Sequence, residues 1–169
     1  MLGLYLQRAV GYGPEQAGLA FLPLTATFIV SNLISGGLVA RFGAARVTSV
    51  GVLIAATGYV LTARLQAGSS FWEMLPGFAL IPGGMGLAIP ALTSGLLASV
   101  DRSVAGAATG VLNACRQAGG AAGVAVFGAL AAGGPEQIVS GLRASGVIAA
   151  VMLVGAAWVV GGRARKRDL

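Results

Sequence analysis

Charged residues stand far apart along this chain, and the intervals between them are apolar. Five intervals contain no Asp, Glu, Lys or Arg. They are enclosed by Glu15 and Arg41, Arg46 and Arg64, Glu73 and Asp101, Arg116 and Glu136, and Arg143 and Arg163. Each is about 17 to 27 residues long, and a hydrocarbon core about 30 Å thick needs roughly 20 apolar residues of helix to cross it. The repeat matches bilayer thickness over the whole chain. It predicts a polytopic membrane protein whose helices lie near 16–40, 47–65, 71–99, 104–132 and 138–162. Lipid offers backbone groups no hydrogen-bond partner, so spans are helices or closed barrels. These runs are too long and too evenly apolar for barrel strands, which alternate over about ten residues.

The connections are short. Gly11, Gly13 and Pro14 predict a turn before the first span, and residues 41–46 a tight basic turn. The loops 66–70, 100–103 and 133–136 separate the remaining spans. This divides the chain into residues 1–15, the end of a helix plus an external loop, then a five-helix membrane domain over 16–162, then a basic tail over 163–169. Lys and Arg set orientation. Arg41, Arg46, Arg102, Arg163, Arg165, Lys166 and Arg167 fall on one side, and Arg8, Arg64 and Arg143 on the other. That bias places the 41–46 turn and the C-terminus in the cytoplasm.

Composition sharpens this picture. Only 9% of residues are charged, against about 25% in a soluble domain, which leaves too little polar surface for a water-soluble fold. The net charge of +6 gathers at span ends and in the tail, a juxtamembrane pattern rather than a nucleic-acid footprint. Cys115 is the one cysteine and His is absent. Neither an internal disulfide nor a Cys/His metal site can form, and no cofactor is expected. Met1 to Val10 is no signal peptide, because Arg8 follows the apolar run instead of preceding it.

Chemistry concentrates in the fourth span. Arg116 lies about twelve residues in, roughly 18 Å deep at 1.5 Å per residue. A permanent charge there costs at least about 2.5–3.5 kcal/mol and faces a bundle interior or a watery cavity. Thr109, Asn113, Arg116 and Gly120 follow helical i, i+3/i+4 steps, with Gln117 beside them. Two readings fit this stripe: a substrate path, or an interhelical hydrogen-bond clamp. The same span carries Gly106, Gly110, Gly119 and Gly123 at four-residue spacing, which suits close helix packing. In the third span Pro82, Gly83, Gly84 and Pro90 weaken the helix and mark either a hinge or a simple kink. Thr25 and Asn32, seven residues apart, share a face that lines a cavity or bonds a neighbouring helix. No carboxylate lies deep in a span. No phosphate-binding loop occurs, and no catalytic constellation suggests an enzyme.

Three stretches carry a resemblance. Tyr5-Leu-Gln7, Gly11-Tyr-Gly-Pro-Glu-Gln-Ala-Gly-Leu19 and Phe21-Leu-Pro-Leu24 resemble the entry to the second span of the C-terminal half of a major facilitator transporter. Gly37-Leu-Val-Ala-Arg-Phe-Gly-Ala-Ala-Arg46 is similar to the C-half copy of that superfamily's cytoplasmic loop, with Gly37, Arg41, Gly43 and Arg46 retained. Ala40 stands where the family has Asp. The segment from Gly106 to Gly120 is similar to the penultimate span, including Asn113, Arg116 and Gln117. The branch it most resembles is the fourteen-span drug:proton antiporters. The resemblance implies an all-α membrane fold of about five transmembrane helices, equivalent to most of the C-terminal half of a major facilitator. It further implies an N-terminal half missing from this sequence, and residence in the cell's inner membrane. The implied activity is export of small hydrophobic or cationic compounds by proton antiport. The rival expectation is a non-transporting membrane assembly or structural subunit.

Overall fold

The computed structural model describes residues 7, 11–65, 71–130 and 135–165, and no strand occurs among them. Among the described residues six helices follow one another: α1 (Pro14–Ala20), α2 (Leu22–Phe42), α3 (Ala44–Thr62), α4 (Phe71–Leu97), α5 (Ala105–Leu130) and α6 (Pro135–Arg165). A 3-10 turn, Arg102–Val104, leads into α5. The expected helix end within Met1 to Val10, the 66–70 loop and the last four residues of the basic tail lie outside the described residues.

The boundaries shift where proline opens a helix. Pro14 and Pro135 are each a first helical residue, a position where the missing N–H costs nothing and φ is already set. The loop expected before the first span is therefore shorter than the sequence suggests, and α6 starts within the expected 133–136 turn. Phe21 separates α1 from α2, and together they form one candidate span, Pro14–Phe42. The basic turn contracts to one residue. Gly43 adopts φ +83° between Phe42 and Ala44, a conformation an L side chain resists. Arg41, in the last turn of α2, lies 5.4 Å from the Phe42 ring centroid, a cation–π distance.

Among the described residues four stretches are long and apolar enough to cross a membrane: Pro14–Phe42, Ala44–Thr62, Trp72–Leu97 and Val139–Gly162. The expected fifth, α5, has the length but not the hydropathy, because glycine, alanine and its polar stripe dilute the apolar content. Outward faces carry the large side chains. Leu33 is 77% exposed, and Trp72 and Trp158 are 75% and 81% exposed. Lipid is a good solvent for such a surface, and tryptophans near opposite ends of the bundle suit the two interfaces.

Small residues fill the inside. α3 sits between α4 and α6, α2 packs on the far side of α4, and α5 touches α6 and α4 only lightly. A glycine seam joins α3 to α4. A Cβ added at Gly51 would stand 2.6 Å from the Gly84 carbonyl oxygen, and one at Gly58 2.7 Å from that of Gly77. Each helix thus repeats glycine every seventh residue, and antiparallel packing brings the two repeats into register. Ala55, Ala88 and Ala91 continue the seam, buried throughout. Without a hydrophobic drive between helices in lipid, such close backbone contact supplies the association energy.

Several hydroxyls inside the spans are satisfied locally, although Ser49 Oγ, buried in α3, has no partner among the described residues. Thr27, Thr57 and Thr93 each donate to the carbonyl four residues back in their own helix. Ser35 instead crosses from α2 to donate to the Leu87 carbonyl of α4 at 2.9 Å, and it is fully buried. The hydroxyl adds a second donor to a carbonyl that Ala91 of the same continuous helix can also reach, because a carbonyl oxygen has two lone pairs.

Candidate functional site

Helices that alternate in direction bring the start of α2, the end of α3, the first half of α4, the end of α5 and the start of α6 to one end of the bundle. Between them lies a cavity of about 460 Å³, open on one side. Its walls carry aromatic rings from four helices and the α1–α2 junction: Phe21, Phe28, Tyr59, Phe78 and Phe127. Thr25, Thr62 and Ser145 add hydroxyls. Each hydroxyl already donates to a carbonyl of its own helix or junction, Thr25 to Phe21 at 3.0 Å, Thr62 to Tyr59 at 2.8 Å and Ser145 to Gly141 at 2.6 Å. No charged side chain lines the space among the described residues. Close packing frames it: at Gly146 a Cβ would stand 2.8 Å from the Tyr59 carbonyl oxygen. Nearby, Arg143 Nε donates to the Leu65 carbonyl at 2.8 Å and ties α6 to the chain leaving α3.

The sequence-derived candidates divide between this cavity and the outside of α5. Thr25 and Pro82 line the cavity. Asn32 lies one to two turns further along α2, exposed, with its backbone at the α4 contact opposite Gly86. Gly83 meets Thr27 across the α2–α4 contact, and Gly84 belongs to the glycine seam. α4 runs unbroken through Pro76, Pro82 and Pro90, so the weakened segment is a continuous helix rather than an interruption.

The stripe on α5 does not turn into this bundle. Asn113, Arg116, Gln117 and Gly120 are exposed; Thr109, half-buried, donates to the Ala105 carbonyl. A Cβ at Gly106, Gly110, Gly119 or Gly123 would meet nothing within 4 Å. The inward face expected for Arg116 is therefore not inward with respect to the described helices. Leu112, Gly123 and Phe127, each half-buried, lie within about 40° of Arg116 around the helix, so this face is partly covered towards its two ends while its middle, with Arg116, meets none of the described helices. Around the expected cytoplasmic loop, Gly43 makes the turn and Arg41 stands in the last turn of α2. Gly37 and Arg46 are exposed beside it.

Sequence reasoning missed the aromatic lining, Ser35 and the seam at Gly51, Gly58 and Gly77. The last had a readable signal in the paired seven-residue glycine spacings of consecutive helices.

Comparison with known proteins identifies the class. The Major Facilitator Superfamily profile matches residues 1–168. The chain is 38% identical over 138 residues to a probable actinorhodin transporter of Streptomyces coelicolor, covering 77% of this chain and 23% of that protein. It is 32% identical over 162 residues to the lincomycin resistance protein of Streptomyces lincolnensis, covering 91% and 34%. It is 34% identical over 133 residues to the tetracenomycin C resistance and export protein of Streptomyces glaucescens, covering 76% and 24%. The chain spans about a quarter to a third of the length of these relatives. No solved structure matches it. Apolar helices of bilayer length and a match over almost the whole sequence agree: this multi-pass membrane chain belongs to the Major Facilitator Superfamily.

Proposed function

We propose that the chain forms the C-terminal portion of an exporter of small hydrophobic or cationic compounds, driven by proton antiport across the cell's inner membrane. The observation that carries this reading is the similarity, over three quarters or more of the chain, to proteins named for export and antibiotic resistance. Membership of a transporter family makes it no enzyme. Alternating access places a site between two helical repeats that rock against each other, and these helices supply one side. The exposed stripe of Asn113, Arg116 and Gln117 then faces the second half, where it lines or braces the substrate path. A permanent charge at that depth needs such a polar or watery neighbour. α4, with Pro82, Gly83, Gly84 and Pro90, moves together with α5. The Gly43 turn and the C-terminus face the cytoplasm. Among the described residues the carboxylates Glu15, Glu73 and Asp101 all sit at span ends, and Arg116 does not release its proton. The proton carrier therefore belongs to the other half.

Expression of the natural gene in an efflux-deficient bacterium tests this. Raised resistance to hydrophobic or cationic antibiotics, abolished by a protonophore, is the expected result. Resistance that survives the protonophore overturns proton coupling, and no resistance at normal protein level overturns export in favour of a non-transporting membrane subunit. Arg116→Ala then separates the two readings of the stripe. Lost resistance with normal protein level supports the substrate path, and lost protein supports a helix clamp.

A further inference from the structure

We infer that the outer face shared by α3 and α6 binds one anionic phospholipid, its phosphate between Arg46 and the basic end of α6 and its acyl chains along two valine-rich stripes. On α3, Arg46, Val50, Leu53 and Val60 follow steps of four, three and seven residues, and all are exposed. They share one side of the helix. Val147, Val151, Val154 and Trp158 form the matching exposed stripe of α6. The two helices pack antiparallel. A Cβ at Gly161 would stand 3.8 Å from Ser49 Oγ, and one at Gly146 2.8 Å from the Tyr59 carbonyl oxygen. At about 100° per residue, each stripe lies roughly a quarter-turn from the contact edge of its own helix, in the same sense along the chain. Antiparallel packing then turns both stripes to one side of the bundle.

What this face carries, more than its being open, names the occupant. Val50 to Val60 and Val147 to Trp158 each run roughly 15 Å at 1.5 Å per residue, which is one leaflet of a core about 30 Å thick. Thr57, the hydroxyl on the α3 stripe, already donates to the Leu53 carbonyl, so the stripe asks for hydrocarbon alone. Both stripes run out to cations at one level. Because Gly161 faces Ser49, Arg46, three residues further out on α3, stands level with residue 164. α6 continues as a helix to Arg165, seven residues beyond Trp158 and so in the register of its stripe, and Lys166 and Arg167 follow. Trp158 lies about two turns inside, where an indole settles at the membrane interface. By sequence this end of the bundle holds seven Lys and Arg against Asp101 and Asp168, and the opposite end three against three. Anionic headgroups are drawn to such an excess. A second copy in the same membrane would instead bring like-charged ends together. Binding here depends neither on the export reading nor on which end is cytoplasmic.

The test titrates the natural gene product in detergent with dioleoylphosphatidylglycerol or the zwitterionic dioleoylphosphatidylcholine and counts bound lipid by native mass spectrometry. The tightest site should prefer phosphatidylglycerol about tenfold or more, since each cation near a headgroup contributes about fivefold. Arg46→Gln combined with Arg165→Gln should weaken that site about twentyfold and leave phosphatidylcholine binding unchanged. Arg64→Gln, at the opposite end of the chain's α3 segment, should change neither. A second arm locates the lipid. Benzoylphenylalanine in place of Val50, in nanodiscs that contain phosphatidylglycerol, should cross-link to lipid on illumination, and Arg46→Gln should lower the yield. The Val50 label alone carries the test if the double variant fails to insert. Equal affinity for the two lipids, indifference to the double variant, or a cross-link from position 50 into polypeptide each overturns the assignment, the last by showing that protein covers this face.

Discussion

Ser35 shows how a buried hydroxyl can join two helices of this interior. Its hydroxyl is buried between α2 and α4 and meets the Leu87 carbonyl beside Pro90. Ser35→Ala removes the hydrogen bond that ties α2 to this point of α4, while the Leu87 carbonyl keeps the donor of its own helix. Interhelical hydrogen bonds in membranes average about 0.6 kcal/mol and reach about 1.7 kcal/mol. The variant should lose stability within that range, and unfolding in mixed micelles is the measurement. Arg143 is different in kind. It holds the Leu65 carbonyl through Nε, near a membrane end where lysine can also reach water. Arg143→Ala should loosen the end of α3 and speed backbone hydrogen exchange around Leu65, whereas Arg143→Lys should restore part of the protection. For Arg116 the sequence supplies depth and charge, from which avoidance of lipid is an expectation, and the residue is exposed with respect to the described helices. The neighbour it turns towards was not legible, since a polar stripe specifies what it shuns and not what it meets.

The same division appears between α4 and α5, two glycine-rich helices with opposite fates. Glycines of α4 sit backbone to backbone with α3, and those of α5 face open space. A Cβ at Gly84 would overlap the Gly51 carbonyl and stand 2.5 Å from the Ala55 nitrogen. Gly84→Ala should therefore cost about 1–3 kcal/mol through forced separation of the helices. Gly119→Ala adds a methyl where nothing lies within 4 Å. In the isolated chain it should be neutral or stabilise by up to about 1 kcal/mol, because alanine loses less backbone entropy in a helix than glycine. Thermal unfolding of both variants in detergent checks the contrast. Helix ends were legible to within a few residues where charges mark them, and were misread at Pro14 and Pro135, which open helices instead of preceding them. The four-residue glycine spacings of α5 were more conspicuous than the seven-residue spacings of α3 and α4, yet only the latter meet a neighbour. With 28 glycines in the chain, spacing within one helix selects little. Matching spacings on two antiparallel helices select the contact. The aromatic cavity drew on residues far apart in sequence, which no local pattern brings together.

The bundle as a whole is a set of antiparallel helices whose two ends differ chemically. One end carries the Gly43 turn with Arg41 and Arg46, the other the aromatic cavity and Arg143. With Cys115 replaced by serine, a Phe42→Cys variant should react with an impermeant maleimide only from the cytoplasmic face, and Arg64→Cys only from outside. The reverse pattern would invert the topology. Reconstituted without a second half, the 169-residue chain should give no substrate accumulation in proteoliposomes, since one bundle cannot alternate about a site. The glycine seam sets a last condition on how such a chain can diverge. An α-helix turns about 100° per residue, so one residue inserted between Gly51 and Gly58 would swing one of the two glycines out of line and set a side chain against the α4 backbone. Apolar residues along this pair of helices can be exchanged for one another over many generations, but the count between the glycines is fixed, and a gap there in any descendant would signal a bundle assembled differently.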